Sequence, residues 1–191
     1  MDAIVRDFSR FADDYDRWFD AHSEVYAEQL DLIRRSIPAD TEQMLEVGVG
    51  SGRFASRLGI RHGLDPSIRL LAMARDRGVE PVLGVGESLP YRGGTFDGVL
   101  MMTVICFMDD IARSFLEAFR VLRPGGRLVV AFMEKGGEIA IREPGTAGRF
   151  LRHAKFHSAG EVTTALASAG FSEVMVRDCR HGLCAISAGK E

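Results

Sequence analysis

A chain of 191 residues with 46% apolar and 27% charged positions fits one globular domain with a sizeable core. Its 24 basic and 27 acidic residues are interspersed and leave a formal net charge of -3, so no basic stripe exists to capture nucleic acid or an anionic membrane. The three cysteines, Cys106, Cys179 and Cys184, are too few and scattered for a disulfide framework, and the longest apolar run, Val99 to Met108, is too short for a bilayer span.

The segment Met1 to Asp7 has acidic residues where a secretory signal needs basic ones, so a cytoplasmic location is expected. Phe8, Phe11, Ala12, Tyr15, Trp18, Phe19 and His22 recur at steps of three and four and predict one face of an N-terminal helix. A second helix runs from about Glu24 to Arg35 and stops before Pro38. The apolar run Met44 to Val47 then leads into Gly48-Val49-Gly50-Ser51-Gly52. From there short helices and strands alternate: a helix at Phe54 to Leu58, a strand at Ile60 to Leu64, a helix at Ile68 to Arg77. A strand at Val82 to Val85 carries Pro81 at its start, which points to a sheet edge.

Phe96 to Thr103 is almost continuously apolar, as a parallel strand buried on both faces must be. Asp109 or Asp110 caps the next helix, Arg123-Pro124-Gly125-Gly126 ends it, and Arg127 to Phe132 is a strand. Residues 134–157 read as a long connection. Ser158-Ala159-Gly160-Glu161 is a capping box that opens the last helix, which ends at Gly170. Strands at Ser172 to Asp178 and Cys184 to Ala188 flank Arg180-His181-Gly182. The order predicts a doubly wound α/β domain covering 1–191, with a helical cap over 1–38 and a core over 39–191. Its seven-stranded sheet is mostly parallel with an antiparallel last strand.

A strand, a glycine loop and a helix bring a ligand against bare backbone at the carboxyl ends of parallel strands. The spacing here is E-x-G-x-G-x-G, and Arg53 stands where a dinucleotide fingerprint needs glycine, which disfavours NAD. The carboxylate of Glu46 is placed to orient the loop and to face the cationic end of a zwitterion. Asp65, at the end of the second strand, suits two ribose hydroxyls, with a helix N-cap as the alternative.

These segments, followed by Gly84-Val85-Gly86-Glu87-Ser88-Leu89-Pro90, Phe96-Asp97-Gly98-Val99-Leu100 and Arg120-Val121-Leu122-Arg123-Pro124-Gly125-Gly126, resemble the class I S-adenosylmethionine (SAM)-dependent methyltransferases. The resemblance spans about Met44 to Phe132 and implies a Rossmann-like methyltransferase fold with SAM as cofactor. It implies further that Glu46 and the loop glycines Gly48, Gly50 and Gly52 pack on the methionine moiety. Asp65 and Pro66 would lie at the ribose, Gly86, Glu87 and Ser88 at the adenine, and Thr103 on the methionine side. Val85 departs from the family, which often has an adenine-binding Asp there, so Glu87 or backbone must substitute.

Methyl transfer needs no Ser/His/Asp constellation, because the sulfonium methyl is already electrophilic. No Asn/Asp-Pro-Pro-Tyr/Phe motif follows the fourth strand, which argues against base amines of DNA. The expected acceptor is a small molecule, with Cys106 beside the methyl pocket; the N-terminal stripe either packs on the core or places Tyr15, Trp18 and His22 as a lid over the pocket. The alternatives are a SAM-binding regulatory protein, or a thiol- or metalloid-directed methyltransferase using Cys106. His153 and His157 lack a third ligand, and Cys179-x-His181-x-x-Cys184 falls around a hairpin with alternating side chains, so no metal is expected.

Overall fold

All four residues of Met44–Val47 (β1), Glu46 among them, are buried, because this strand lies between two others with helices on both faces. The computed structural model describes residues 2–138 and 146–191. Ahead of β1 run α1 (Asp2–Arg10), α2 (Ala12–Ala21) and α3 (Ser23–Ser36). The expected single N-terminal helix is therefore two, broken at Phe11, whose φ of -114° and ψ of 29° leave the helical region. Its ring lies under the Arg149 guanidinium at 4.0 Å, a contact 138 positions away that no local pattern announces.

After β1 come α4 (Arg53–Leu58), β2 (His62–Asp65), α5 (Ile68–Asp76), β3 (Glu80–Leu83) and β4 (Phe96–Met102). A short 3-10 turn at Ile105–Phe107 precedes α6 (Ile111–Val121), which Asp110 caps by accepting from the Arg113 N–H. Strand β5 (Leu122–Met133) already begins at Leu122, because that residue pairs with Phe96 before a register shift. The middle of the expected 134–157 connection, 139–145, lies outside the described residues. Its end folds as α7 (Thr146–Leu151). The predicted capping box is formed at Ser158 and Glu161 and opens α8 (Ala159–Ser168), followed by β6 (Ser172–Arg180) and β7 (Leu183–Gly189).

The sheet has seven strands in the order β3-β2-β1-β4-β5-β7-β6. Strand β7 runs antiparallel to both neighbours and the other pairings are parallel, as predicted. Pro81 sits on the edge strand β3. One core layer joins Phe115, Leu122, Val162 and Leu166 under α6 and α8, and the other joins Phe19, Ile33, Phe54 and Leu71 under α2 to α5. The chain winds outward from β1 to β3 and returns to β4 beside β1. That reversal leaves a crevice at the carboxyl ends of β1 and β4.

Cys179 and Cys184 form a disulfide, which corrects the expectation drawn from their number and scatter. Alternation along one strand does not separate them, since they face each other across the β6–β7 register.

Candidate functional site

The crevice holds a cavity of about 860 Å³, floored by the ends of β1, β2 and β4, roofed by α1, α2 and α7, and bounded by α3 and the β6–β7 turn. Of the residues singled out in the sequence, it brings together Tyr15, Trp18, His22, Gly48, Gly50, Asp65, Pro66, Gly86, Glu87 and Thr103. Glu46, Gly52, Ser88 and Cys106 do not line it.

The loop after β1 is shaped by its glycines, but each for its own reason. Gly48, Gly50 and Gly52 have φ of 76°, 52° and 80°. A Cβ at Gly48 would lie 2.3 Å from Val104 Cγ2 after β4, and one at Gly52 would lie 2.9 Å from Ala74 Cα in α5. Those two positions are glycine because protein packs against them. The nearest atoms to a Cβ at Gly50 would be the Tyr15 hydroxyl at 3.4 Å and its ring from 3.5 Å, so Gly50 is where the loop presents bare backbone toward the cavity.

Asp65 braces this loop. Its Oδ2 accepts from the Gly50 N–H at 3.0 Å and its Oδ1 accepts from the Ser67 N–H at 2.8 Å. Ser67, not Asp65, is the N-cap of α5. Burial raises the Asp65 carboxyl to about 6, although both backbone bonds favour the ionised form. Beneath, Glu46 is almost wholly buried and accepts from the Ala55 N–H, and burial raises its carboxyl well above the usual range. Its Oε2 has no hydrogen-bond partner among the described residues. Glu87 repeats this pattern at the other end: Oε1 accepts from the Asp109 N–H at 2.9 Å, and Oε2 is buried without a partner. A buried acceptor left open in this way is costly, and at Glu87, which lines the cavity, a donor there would relieve it.

Thr103, just after β4, has φ of 48°, an outlying conformation for a β-branched residue, held by its N–H bond to the Ala131 carbonyl at 2.7 Å. The sequence named Thr103 but gave no sign of this strain. Cys106, two residues into the following turn, is buried, and its thiol donates to the Thr103 carbonyl at 3.6 Å. Burial pushes that thiol up to about 12, so it stays protonated and turned away from the cavity.

The cap is clamped to the loop by charge. Asp16 Oδ1 accepts from Ser51 Oγ at 2.6 Å and Arg53 Nε at 2.8 Å, while Oδ2 accepts from Arg53 and Arg77, each at 2.8 Å. Asp20 takes the outer edge of the same Arg53 guanidinium at 2.6 and 2.8 Å. Tyr15 sits on this clamp, edge-on to Phe8, Phe19 and Phe150. Burial, then the charge of Asp65, raises its hydroxyl further, so it remains a phenol. Trp18 and His22 stack at 4.4 Å on the cavity rim.

Five carboxylates line the cavity (Glu28, Asp31, Asp65, Glu87, Asp178) against two guanidiniums, Arg35 and Arg180. Both guanidiniums are paired, to Asp31 at 2.8 Å and Asp178 at 2.9 Å. Positive charge is favoured here. A pyrophosphate is not, because the Gly50 N–H that would face it is already bonded to Asp65. The described His153 and His157 do not act as a pair: His153 bonds Asp7, and His157 bridges to Glu134 through its backbone.

The methyltransferase-domain family matches residues 45–130 of the chain. A Thermotoga maritima structure, described as a SAM-dependent methyltransferase and possible histamine N-methyltransferase, is 30% identical with a TM-score of 0.85 and covers 98% of this chain and 100% of its own. A Geobacter sulfurreducens malonyl-[acyl-carrier protein] O-methyltransferase is 31% identical over 90% of this chain and 70% of its own length. An uncharacterised Mycobacterium tuberculosis protein is 39% identical over 86% of this chain, which spans 59% of that relative's length.

Proposed function

The chain belongs to the class I SAM-dependent methyltransferases, and on that basis we propose that it transfers the methyl group to a small-molecule acceptor seated under the N-terminal cap. Bound SAM supplies an electrophilic sulfonium methyl; the protein's part is to align a nucleophile with it and to keep water out. The observation that carries the reading is the acidic floor beside the glycine loop, with the Gly50 N–H turned onto Asp65 and the buried Glu87 Oε2 on the cavity wall open to a donor. These fit a ligand that is cationic at sulfur and nitrogen and rich in hydroxyl and amino donors.

Asp65 then receives the ribose hydroxyls and Gly50 lies against the methionine part. Glu46 stabilises the loop from below, accepting from the Ala55 N–H. Glu87 Oε2 takes the place of the missing carboxylate at Val85 in holding the adenine amino group. Tyr15, Phe8 and Phe150 exclude water from above. The acceptor occupies the outer part, between α3 and the β6–β7 turn, where Gln29, Leu32, Met133 and Leu183 line the wall. A roofed cavity of this size suits a drug-sized molecule and not a folded macromolecule. The buried Cys106 thiol supports no thiol- or metalloid-directed variant of the reaction. Among the described residues no helix is long and apolar enough to cross a membrane.

Release of S-adenosylhomocysteine (SAH) from SAM over a panel of small amines, phenols and carboxylic acids tests the proposal. Turnover with at least one of them is expected. Methyl label appearing only on added protein or nucleic acid would overturn the small-molecule reading, and SAH binding without any turnover would favour a regulatory protein.

The cofactor site should also respond to pH. Because the ligand-free Asp65 titrates at about 6 and hydroxyls prefer a carboxylate acceptor, SAH affinity should rise with pH up to about 6 and then level. Below that point it should fall by up to about tenfold per pH unit. The sign for folding is opposite: a raised carboxyl makes the free protein lose stability as pH climbs from about 4 to about 6. Calorimetric titrations of SAH into wild type and Asp65→Asn across this range check the first, with a weaker and flatter profile expected for the variant, and thermal melts of the two free proteins check the second.

A further inference from the structure

The β6–β7 hairpin that supplies Asp178, Arg180, His181 and Leu183 to the cavity wall carries a second cluster. Cys179 and Cys184 are register partners with Cα atoms 4.1 Å apart, joined as a disulfide. The carboxylate of Glu134, the residue after β5, lies beside them with Oε2 3.3 Å from Cys184 Sγ. One oxygen of Glu134 and the two sulfurs all fall within 4.8 Å of one another.

We propose that these three groups, once the disulfide is reduced, form a binding site for a thiophilic divalent cation of the zinc class. Two thiolates and a carboxylate are a donor set that zinc accepts, with the fourth tetrahedral position left to water. The backbone holds the donors in place before any ion arrives. Strand pairing fixes both sulfurs on one face of the hairpin. Glu134 is anchored by its N–H bond to the Gly182 carbonyl at 2.8 Å and by its backbone bridge to His157. Its Oε1 is engaged by the Ala159 N–H at 3.5 Å, which leaves Oε2 directed at the sulfurs. Cys184 is buried and Cys179 exposed, giving an inner ligand and an outer one through which the ion enters.

The disulfide and the metal exclude each other. An external dithiol passes two electrons and two protons to the Cys179–Cys184 bond, yielding two thiols and its own disulfide. Cation binding then releases both thiol protons to solvent as the two S–metal bonds form, and Glu134 adds as carboxylate. The Cys106 thiol, buried and bonded to the Thr103 carbonyl, takes no part.

Cadmium ion is the probe, because thiolate-to-cadmium charge transfer absorbs in the ultraviolet. Protein reduced with dithiothreitol and desalted without air is titrated with Cd²⁺, then with Zn²⁺ in competition. The expected result is absorption saturating at one Cd²⁺ per chain, reversed by Zn²⁺ and absent from the oxidised protein. Cys179→Ser, at the exposed position, should abolish it, and Glu134→Gln should weaken affinity by about tenfold or more. A thermal melt of each variant verifies folding. No saturable absorption in reduced wild type, or an unchanged titration in either folded variant, would overturn the site, as would loss of the signal in Cys106→Ser alone.

Discussion

Asp16→Ala is expected to destabilise the protein by about 2–4 kcal/mol and to loosen α2 from the core. The Asp16 side chain is only 10% exposed and holds two guanidiniums and a hydroxyl at once. Removing it leaves Arg53 and Arg77 facing each other in a poorly solvated space, with Arg53 retaining only the exposed Asp20. Burial alone would raise the Asp16 carboxyl, but bonds from Arg53, Ser51 and Arg77 outweigh it and hold the group at about 2. The sign follows: this stabilisation is present above the unfolded carboxyl value of about 3.9 and is lost as pH falls through about 2. Asp20→Ala should cost much less, since its carboxylate is solvated.

The clamp also reassigns the lid. With α2 pinned by Asp16, SAH should change amide exchange least in α2 and most in α1 and α7, whose charged ties are the pairs Asp14–Arg149 and Asp7–Arg152. In Asp16→Ala the α2 amides should join them. Unchanged melting together with unchanged α2 exchange in that variant would remove the clamp from the account.

What the sequence disclosed was whatever depends on local pattern. The capping box at Ser158, the proline on the edge strand β3, the continuous apolar run of β4 and the glycine loop each act within a few residues, and each was legible. Features built from distant partners were not. Asp16 meets Arg53 and Arg77 across 37 and 61 positions, and nothing in the aromatic stripe around it announces a charged clamp. The Cys179–Cys184 pair was hidden because strand alternation describes neighbours along the chain, not across a hairpin. Gln29 reads as one polar position on an amphipathic helix, yet it lies buried against the cavity. The acceptor end was therefore illegible as a unit: its wall comes from α3, the end of β5 and the β6–β7 turn, which converge only in the fold.

The loop glycines separate binding from folding most sharply. Gly50→Val should abolish SAH binding, a loss of more than about a hundredfold, while the protein still folds. At φ of 52° a β-branched residue is strained by about 1–2 kcal/mol, and its methyl groups have nowhere to go but toward the Tyr15 ring or into the cavity. The first displaces the cap and the second fills the place proposed for the methionine part, so either outcome removes the ligand. Gly52→Ala should do the reverse. Its Cβ would press on Ala74 Cα at 2.9 Å, and helix backbone yields less readily than a side chain, so about 1–3 kcal/mol of stability goes while the cavity wall itself is untouched. Thermal melts paired with SAH calorimetry distinguish the two: Gly50→Val should lose some stability but stay folded without binding, and Gly52→Ala should melt early yet bind when folded. Normal SAH affinity in a folded Gly50→Val would mean that the ligand does not approach this loop, and the site would have to be sought at the other end of the cavity.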